Sequence, residues 1–214
     1  MQQSCSTARG RTVHQYNCND LLADLNIGWL KRNGAFKQAT TFIDYDNTII
    51  FNEKSDSRMT YKRAYGYQPG ICFLNGDRVL YLENRNGNSD AKSFQGDTLE
   101  RLFKILAKNG ISRLDFFRAD AASYQYEVIE TLEGKVDTFY IGTRRSYVEK
   151  YYPQVKNWQK AKDRKGEDIQ VGDISFKPFS NRYRKGEPQK TYRLLVKKKK
   201  RNDGQIDVFT QDGL

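Results

Sequence analysis

Thr41-Phe42-Ile43-Asp44-Tyr45-Asp46-Asn47-Thr48-Ile49-Ile50 is the stretch around which the rest of the chain is organised. It opens with apolar and β-branched residues, which favour a half-buried β-strand. Because side chains alternate between the two faces of a strand, Asp44 and Asp46 share one face. Two carboxylates on one face repel each other, and burying them is costly unless a cation, a hydrogen-bond network or a proton compensates. The stretch alone leaves two interpretations open: a paired cation site, or one aspartate in solvent and the other capping a turn.

Composition indicates a folded protein whose charge suits a polyanionic partner. The 214 residues are 37% hydrophobic and 13% aromatic, which is enough for a real core in one domain, with or without an extension. Lys and Arg number 37 against 26 Asp and Glu, and the resulting charge of +11 suits a phosphate-rich partner such as nucleic acid.

Several site classes and locations are disfavoured by what the sequence contains. The chain has no apolar run long enough to span a membrane, and its polar N-terminus does not resemble a signal peptide. Cys5, Cys18 and Cys72 are too scattered for a disulfide framework or a zinc site, so a reducing cytoplasm is the expected location. The lone His14 lies in a polar N-terminal arm and disfavours His-based triads.

Three elements are predicted close to the central strand. A helix is expected between residues 19 and 34, with Leu21, Leu25 and Trp29 forming its buried stripe. The charged residues 51–66 read as a solvent-exposed connector. The Asn75-Gly76-Asp77 segment between two apolar runs predicts a β-hairpin, so the first three strands are expected to be antiparallel.

The remaining elements of this half alternate between helix and strand. They are a helix over 97–110, a strand over 113–118 that ends at Asp120, a helix over 123–132 and a strand over 136–141. The order of three strands, helix, strand, helix and strand is that of the ribonuclease-H-like fold, an α/β fold with a mixed sheet. In that fold the first and fourth strands lie side by side.

This topology would bring Asp46 and Asp120 together although they are far apart in the chain. Carboxylates that converge on adjacent strands are the ligands that Mg²⁺ or Mn²⁺ prefers. Two such ions, about 3.5–4 Å apart, activate the attacking oxygen and stabilise the leaving oxygen of a phosphodiester. The competing interpretation is that Asp120 merely caps the helix that begins near Ser123.

An ordered set of short motifs resembles a known family. They are Asp44-Tyr45-Asp46, Glu83-Asn84-Arg85 with Gly87-Asn88, Arg118-Ala119-Asp120-Ala121, and Tyr192-Arg193-Leu194. From about Phe42 to the C-terminus the chain resembles the DDE transposases of bacterial insertion sequences, of the type called DDE domain group 1. The resemblance implies Mg²⁺ (or Mn²⁺) held by Asp46 and Asp120, with Asp44 as the alternative first ligand.

The resemblance also implies a partner and a division of the chain. Double-stranded DNA, as transposon ends and target, would be bound, and whether a homodimer forms is left open. The segments would be 1–39, an N-terminal arm and helix; 40–144, a partial ribonuclease-H-like catalytic core; and 145–214, a β-rich insertion with a basic rim and strands near 168–176, 191–196 and 205–210. The candidate DNA-binding residues are Lys62, Arg63, Arg118, Arg144, Arg145, Lys197, Lys198 and Lys199.

Three departures from the family pattern limit the expected activity. Ala122 stands where a Gly is usual, and the N-terminal DNA-binding segment is short or absent. The third acid of the family, a Glu on a helix after the insertion, has no counterpart before Leu214. Loss of a metal-binding carboxylate weakens the hold on the ions, so an incomplete fragment without strand-transfer activity is expected.

Two alternative functions remain open from the sequence. The Asp44-Tyr45-Asp46-Asn47-Thr48 segment also matches haloacid-dehalogenase-like phosphatases, in which Asp44 would be the nucleophile and Asp46 the general acid/base beside one Mg²⁺. Those enzymes require a parallel sheet, which the predicted hairpin contradicts. The other alternative is a non-catalytic DNA-binding remnant that uses the basic residues for phosphate contacts.

Overall fold

The computed structural model describes residues 18–200 and 206–210, with Lys200 and 206–210 described through their backbone only. The predicted N-terminal arm, including His14, lies outside the described residues. The chain divides into two compact units, one up to Ile141 and one from Gly142 onward.

The first unit contains eight of the described strands and three of the described α-helices. In chain order its elements are α1 (Cys18–Arg32), β1 (Phe42–Asn47), β2 (Ile50–Phe51), β3 (Arg58–Met59), β4 (Tyr65–Tyr67), β5 (Gly70–Leu74), β6 (Arg78–Glu83), α2 (Gln95–Lys108), β7 (Leu114–Ala119), α3 (Tyr126–Leu132) and β8 (Val136–Ile141). A short 3-10 turn, Ala121–Ser123, lies between β7 and α3.

The main sheet has the strand order β6-β5-β1-β7-β8. β1 runs antiparallel to β5, β5 runs antiparallel to β6, and β7 runs parallel to both β1 and β8. The fold class is therefore the predicted one, a mixed α/β sheet with ribonuclease-H-like order. The prediction that the first and fourth long strands lie side by side is confirmed.

The hairpin between β5 and β6 explains why the register of the opening strands is well defined. Asn75 and Gly76 both have positive φ, 53° and 83°, as a type I′ turn requires. The N–H of Asp77 donates to the carbonyl of Leu74 at 3.3 Å and closes the turn. The Asn75 side chain also accepts a hydrogen bond of 2.9 Å from the N–H of Phe42, which ties the turn to the start of β1.

The core lies on one face of the main sheet. Ile43 and Tyr45 point from β1 into a cluster that includes residues of α1, α2 and α3. The opposite face carries Phe42 and Phe116, whose rings stack with centroids 4.4 Å apart, and Asp44 and Asp46 lie on that same face. The alternation of β1 therefore separates a hydrophobic side from a polar and aromatic side.

Helix α1 exists as predicted, but the face assigned to the core was wrong. Leu21, Leu25 and Trp29 are exposed, while the buried residues are Ala23, Ile27 and Leu30. Both stripes have helical spacing, so periodicity alone did not distinguish them.

Polar contacts set the rotation of α1. Asp20 accepts a hydrogen bond of 2.7 Å from the Tyr81 hydroxyl, and Asp24 accepts one of 2.7 Å from the Asn109 amide. These bonds point one side of the helix toward the sheet and α2, and they leave the Leu21–Trp29 stripe in solvent.

The predicted connector, residues 51–66, is not a plain exposed loop. β2, β3 and β4 form a small three-stranded sheet in the order β2-β4-β3. Its strands are only two or three residues long and carry no alternating pattern, which is why the sequence did not reveal them.

The second unit is built on a four-stranded antiparallel sheet of order β12-β11-β10-β9. Its described elements are α4 (Arg145–Val148), β9 (Gln159–Lys162), β10 (Asp168–Phe176), β11 (Tyr192–Lys200) and β12 (Ile206–Thr210), with short 3-10 turns at Glu149–Gln154 and Ser180–Arg182. The β-rich character was predicted, but β9 was not. No helix in the described ranges has the length and apolar character needed to cross a bilayer.

Candidate carboxylate site at the ends of the central strands

Two aspartates follow neighbouring parallel strands at the same edge of the main sheet. Tyr45 of β1 lies opposite Ala119 of β7 in the parallel register, and Asp46 and Asp120 are the next residues on each chain segment. Parallel strands end at a common edge, so the register carries both carboxylates to one place. The adjacency that the strand order predicted is thus present in the fold.

The electrostatics show that the two carboxyl groups influence each other. Loss of water around the carboxyl group of Asp46 raises its pKa above the ordinary value, and the negative charge of Asp120 raises that pKa further. A hydrogen bond from the N–H of Asn47 opposes both effects without cancelling them. The two acidic groups are therefore close enough to repel each other. No positively charged side chain of the described residues contributes to the change in the pKa of Asp46.

Each aspartate uses one oxygen to hold its own loop. Oδ1 of Asp46 accepts a hydrogen bond of 2.7 Å from the N–H of Asn47. Oδ1 of Asp120 accepts one of 2.9 Å from the N–H of Ala122 and caps the 3-10 turn that follows. The sequence left capping and metal binding as competing roles for Asp120. The structure shows the cap, and the charge of the same side chain raises the pKa of Asp46.

The donor set fits a hard divalent cation. Asp46 and Asp120 offer carboxylate oxygens, and in the described part of the chain the second oxygen of each accepts no hydrogen bond. Oxygen donors of this type suit Mg²⁺ or Mn²⁺. Among the described residues no group of three or more His, Cys, Asp or Glu is arranged to hold a metal ion, so this fit rests on two carboxylates.

Asp44, the alternative first ligand, is engaged elsewhere. Its two carboxylate oxygens accept hydrogen bonds from Nε and Nη2 of Arg118 at 2.7 and 2.9 Å. This two-pronged contact, chiefly the hydrogen bonding, raises the pKa of Arg118. The guanidinium also lies 5.7 Å from the ring centroid of Phe42. Asp44 thus forms an ion pair with Arg118 on the face of the sheet opposite the core, two residues before Asp46 on the same strand.

A buried arginine behind the site was missed by sequence reasoning. Arg85 is 4% exposed, and its guanidinium donates to the hydroxyls of Tyr45 at 3.1 Å and Thr98 at 2.8 Å. It also donates to Oδ1 of Asn47 at 3.3 Å. These bonds fix the residues on both sides of Asp46, so Arg85 positions the end of β1. The Glu83-Asn84-Arg85 motif was the only signal in the sequence.

Gly70 makes room for that arrangement. A Cβ atom at this position would lie 2.4 Å from the Tyr45 hydroxyl oxygen and 3.0 Å from Nη2 of Arg85. No side chain fits there without displacing the Tyr45–Arg85 contact, since real Cβ atoms do not approach other atoms so closely.

The candidate DNA-binding residues of the first unit fall in two places. Lys62 and Arg63 are exposed in the turn between β3 and β4. Arg118 lies on the open face of the main sheet, where it is paired with Asp44.

The candidates of the second unit differ in how they are neutralised. Arg144 and Arg145 lie at the start of α4, and Nε of Arg145 is 3.3 Å from Glu149. The three candidate lysines Lys197, Lys198 and Lys199 lie in β11, so they alternate between the faces of the strand. Nζ of Lys197 and Nζ of Lys199 lie 4.0 and 3.8 Å from Asp163, and Lys199 also pairs with Glu167. Lys198 instead lies over the ring of Trp158, with Nζ 5.2 Å from its centroid.

Comparisons with known proteins give likeness in structure only. No protein-family model matches the sequence, and no curated protein matches it. Transposases are among the solved structures that the chain resembles. They include the catalytic domain of Mos1 mariner transposase (15% identity, TM-score 0.35, covering 60% of this chain and 64% of that one) and the piggyBac transposase synaptic complex with hairpin DNA (16% identity, TM-score 0.40, covering 72% and 32%).

A further similar structure is the Mos1 mariner paired-end complex with Mn, at 17% identity and a TM-score of 0.33, with 64% of this chain and 47% of that one covered. The chain therefore spans between about a third and two thirds of the length of the solved chains it resembles. Membership of the bacterial insertion-sequence group stays a prediction.

Proposed function

We propose that this chain is a DNA transposase of the DDE type, which acts on phosphodiester bonds with Mg²⁺ or Mn²⁺ held by Asp46 and Asp120. The observation that carries the proposal is the parallel register of β1 and β7, which brings these two carboxylates to one edge of the sheet. The effect of the Asp120 charge on the pKa of Asp46 supports it. The net charge of +11 suits a DNA substrate.

The residues have distinct roles in this proposal. When bound, a divalent ion supplies a Lewis acid for the phosphodiester and a means of activating the attacking oxygen. Asp46 and Asp120 would hold it. Arg85 keeps the Tyr45–Asn47 segment in place from the core side, and the cap made by Asp120 orients its own carboxylate.

Two carboxylates are fewer ligands than two-ion chemistry ordinarily uses, and the described residues supply no third acid to the pair. We therefore expect weak metal binding by the protein alone and no robust strand transfer. DNA phosphate oxygens would complete the coordination, so metal and DNA should strengthen each other's binding.

Electron paramagnetic resonance of Mn²⁺ tests this coupling directly. Free Mn²⁺ is titrated with the protein in the presence and absence of duplex DNA, for the wild type and for Asp46→Asn, Asp120→Asn and Asp44→Asn. The wild type should bind Mn²⁺ several-fold more tightly with DNA present, on the scale of ordinary coupling between sites, about 5- to 100-fold. Asp46→Asn and Asp120→Asn should abolish this increase.

Asp44→Asn is the matched control, because it removes one carboxylate from the same strand face without touching the proposed pair. It should retain the coupling once its folding is verified. Loss of coupling in Asp44→Asn together with its retention in Asp46→Asn would make Asp44 the ligand. A wild type without any coupling would contradict the proposed function, and robust Mn²⁺-dependent strand transfer would contradict the expected inactivity.

The phosphatase alternative has less support. A nucleophilic Asp44 would need an oxygen available to phosphate, and both of its oxygens are bound by Arg118. β1 also pairs antiparallel with β5, whereas that enzyme class requires a parallel sheet. Hydrolysis of p-nitrophenyl phosphate that is abolished by Asp44→Asn would restore the alternative.

A further inference from the structure

The small sheet formed by residues 50–67, named here the ribbon, continues the central strands past the carboxylate pair. Asn47 lies opposite Gly70 at the end of the β1–β5 ladder, and the N–H of Thr48 donates to the carbonyl of Pro69 at 3.3 Å. Ile50 of β2 then lies opposite Tyr67 of β4. The ribbon therefore begins four residues after Asp46 along the chain, directly past the end of the β1–β5 ladder.

One face of the ribbon is apolar and open to solvent. Met59 pairs directly with Tyr65, and Ile50 pairs with Tyr67, which is two residues from Tyr65, so the four side chains share a face. Ile50, Met59 and Tyr65 are 48%, 46% and 53% exposed. Exposed apolar side chains clustered in this way mark binding surfaces more often than scattered ones do.

The tip of the ribbon adds an exposed ring and two cations. Tyr61 is 72% exposed, and Nζ of Lys62 lies 5.9 Å from the centroid of its ring. Arg63 follows at a φ of 58°, a left-handed conformation that non-glycine residues adopt uncommonly. Hydrogen bonds between Thr60 and Ala64 hold the turn closed. From Thr60 to Tyr65 the sequence contains two cations and no acid.

We propose that the ribbon is a docking surface for unpaired nucleotides of the DNA strand whose phosphodiester lies at Asp46 and Asp120. Tyr61 and Tyr65 stack on bases, which every base permits because each has an aromatic face. Lys62 and Arg63 contact the phosphates beside them, and their charge favours a polyanion over an apolar protein segment. The proposal deepens the proposed function, because it assigns the DNA structure that the same site prefers: a strand that is frayed or single-stranded next to the reacting bond.

Fluorescence anisotropy with two labelled DNA molecules tests the inference without any metal. One is a blunt duplex, and the other is the same duplex extended by a short unpaired strand; both are titrated in EDTA. The wild type should bind the extended DNA more tightly. Tyr61→Ala and Tyr65→Ala should each weaken binding of the extended DNA by roughly 5- to 100-fold, the value of one lost base stack, and weaken binding of the blunt duplex far less. Tyr61→Phe keeps the ring and should bind like the wild type.

Trp29→Ala is the matched control, because Trp29 is a 56% exposed aromatic residue on α1, a helix that packs against α2 and β6. It should leave both affinities unchanged. Unfolding midpoints should be nearly unchanged in all of these variants, since the replaced side chains are exposed, and this verifies that lost affinity is not lost folding.

Several outcomes would overturn the inference. They are a wild type with no preference for the extended DNA, a Tyr61→Ala variant that behaves like Trp29→Ala, or ribbon variants that change self-association in sedimentation instead of DNA affinity. Failure of the proposed function is distinguishable, because it appears as absent Mn²⁺–DNA coupling while the preference for unpaired DNA persists in EDTA.

Discussion

The pKa of the Asp46 carboxyl group lies above that of a fully solvated aspartate, because the group is partly desolvated and faces the charge of Asp120. A carboxyl group whose pKa is higher in the folded state than in the unfolded chain favours folding when it is protonated. That contribution is complete below the unfolded pKa and is lost as the pH rises through the folded pKa. At neutral pH the pair therefore opposes folding until a cation compensates the two charges.

Asp120→Asn should consequently stabilise the protein at neutral pH in the absence of metal. The amide oxygen of Asn can still accept the hydrogen bond from Ala122, so the cap is kept while the charge is removed. For a partly exposed pair we expect a gain below about 1 kcal/mol, which corresponds to a rise in Tm of less than about 2–4 °C. The gain should vanish as the pH falls through the raised pKa of Asp46, because protonation of that carboxyl group removes the repulsion.

Thermal unfolding followed by circular dichroism from about pH 3.5 to pH 8 measures this dependence. Asp137→Asn is the control, because Asp137 is paired with Arg113 and its removal should not stabilise the protein at any pH. A lower Tm for Asp120→Asn at neutral pH would show that the pair is not repulsive.

The same residues show what a sequence can and cannot predict. Asp46 and Asp120 were predictable as neighbours because strand order alone brings them together. The role of Arg85 was not predictable, because the sequence does not distinguish a buried arginine in a polar stretch from an exposed one. Its hydrogen-bond partners Tyr45 and Thr98 come from different elements. The distribution of hydrogen-bond partners in three dimensions decides such a residue's role.

At the scale of elements, the sequence predicted an element correctly where the residues themselves encode its geometry. It failed where contacts with other elements decide the structure. The β5–β6 hairpin was predictable because Asn75-Gly76 encodes its own turn geometry. Helix α1 was predictable in position but not in rotation, because Asp20 and Asp24 orient it through contacts with Tyr81 and Asn109. The ribbon was missed because its strands are only two or three residues long and carry no alternating pattern.

Strand β11 distributes consecutive lysines over its two faces, so that they have different neighbours. Lys197 and Lys199 face Asp163, whereas Lys198 lies on the other side with Trp158. A cation already neutralised by carboxylates adds little to phosphate binding, since bringing it to DNA also brings the acids. A ring beside a cation, in contrast, adds a surface on which a base can stack.

Lys198→Ala should therefore weaken DNA binding and lower the magnitude of its salt slope by about 1, the value expected for one lost phosphate contact. Lys199→Ala, the matched control on the same strand, should change the slope less. Anisotropy titrations at several salt concentrations measure both. Equal effects of the two substitutions would mean that the ion pairs of Lys199 do not persist on DNA.

At the scale of the whole molecule, the property relevant to DNA binding is the net positive charge. Positive charge in excess attracts DNA without regard to sequence, and each phosphate contact releases a condensed counterion. This contribution does not require a divalent ion, whereas the proposed chemistry at Asp46 and Asp120 does. Measurements of salt dependence and of metal dependence therefore test the proposed DNA binding and the proposed catalysis separately.

The wild-type chain should bind duplex DNA in EDTA with a slope of log affinity against log salt of about −3 to −5, which corresponds to three to five phosphate contacts. Between about 50 and 200 mM salt the affinity should then fall roughly 50- to 1,000-fold. Asp46→Asn combined with Asp120→Asn should raise the affinity, because two negative charges near the phosphate are removed, and should leave the slope nearly unchanged. A slope close to zero would mean that the +11 charge does not act on DNA. A strict requirement for Mn²⁺ in binding would mean that the carboxylate pair, and not the basic surface, supplies the main contact with the phosphates.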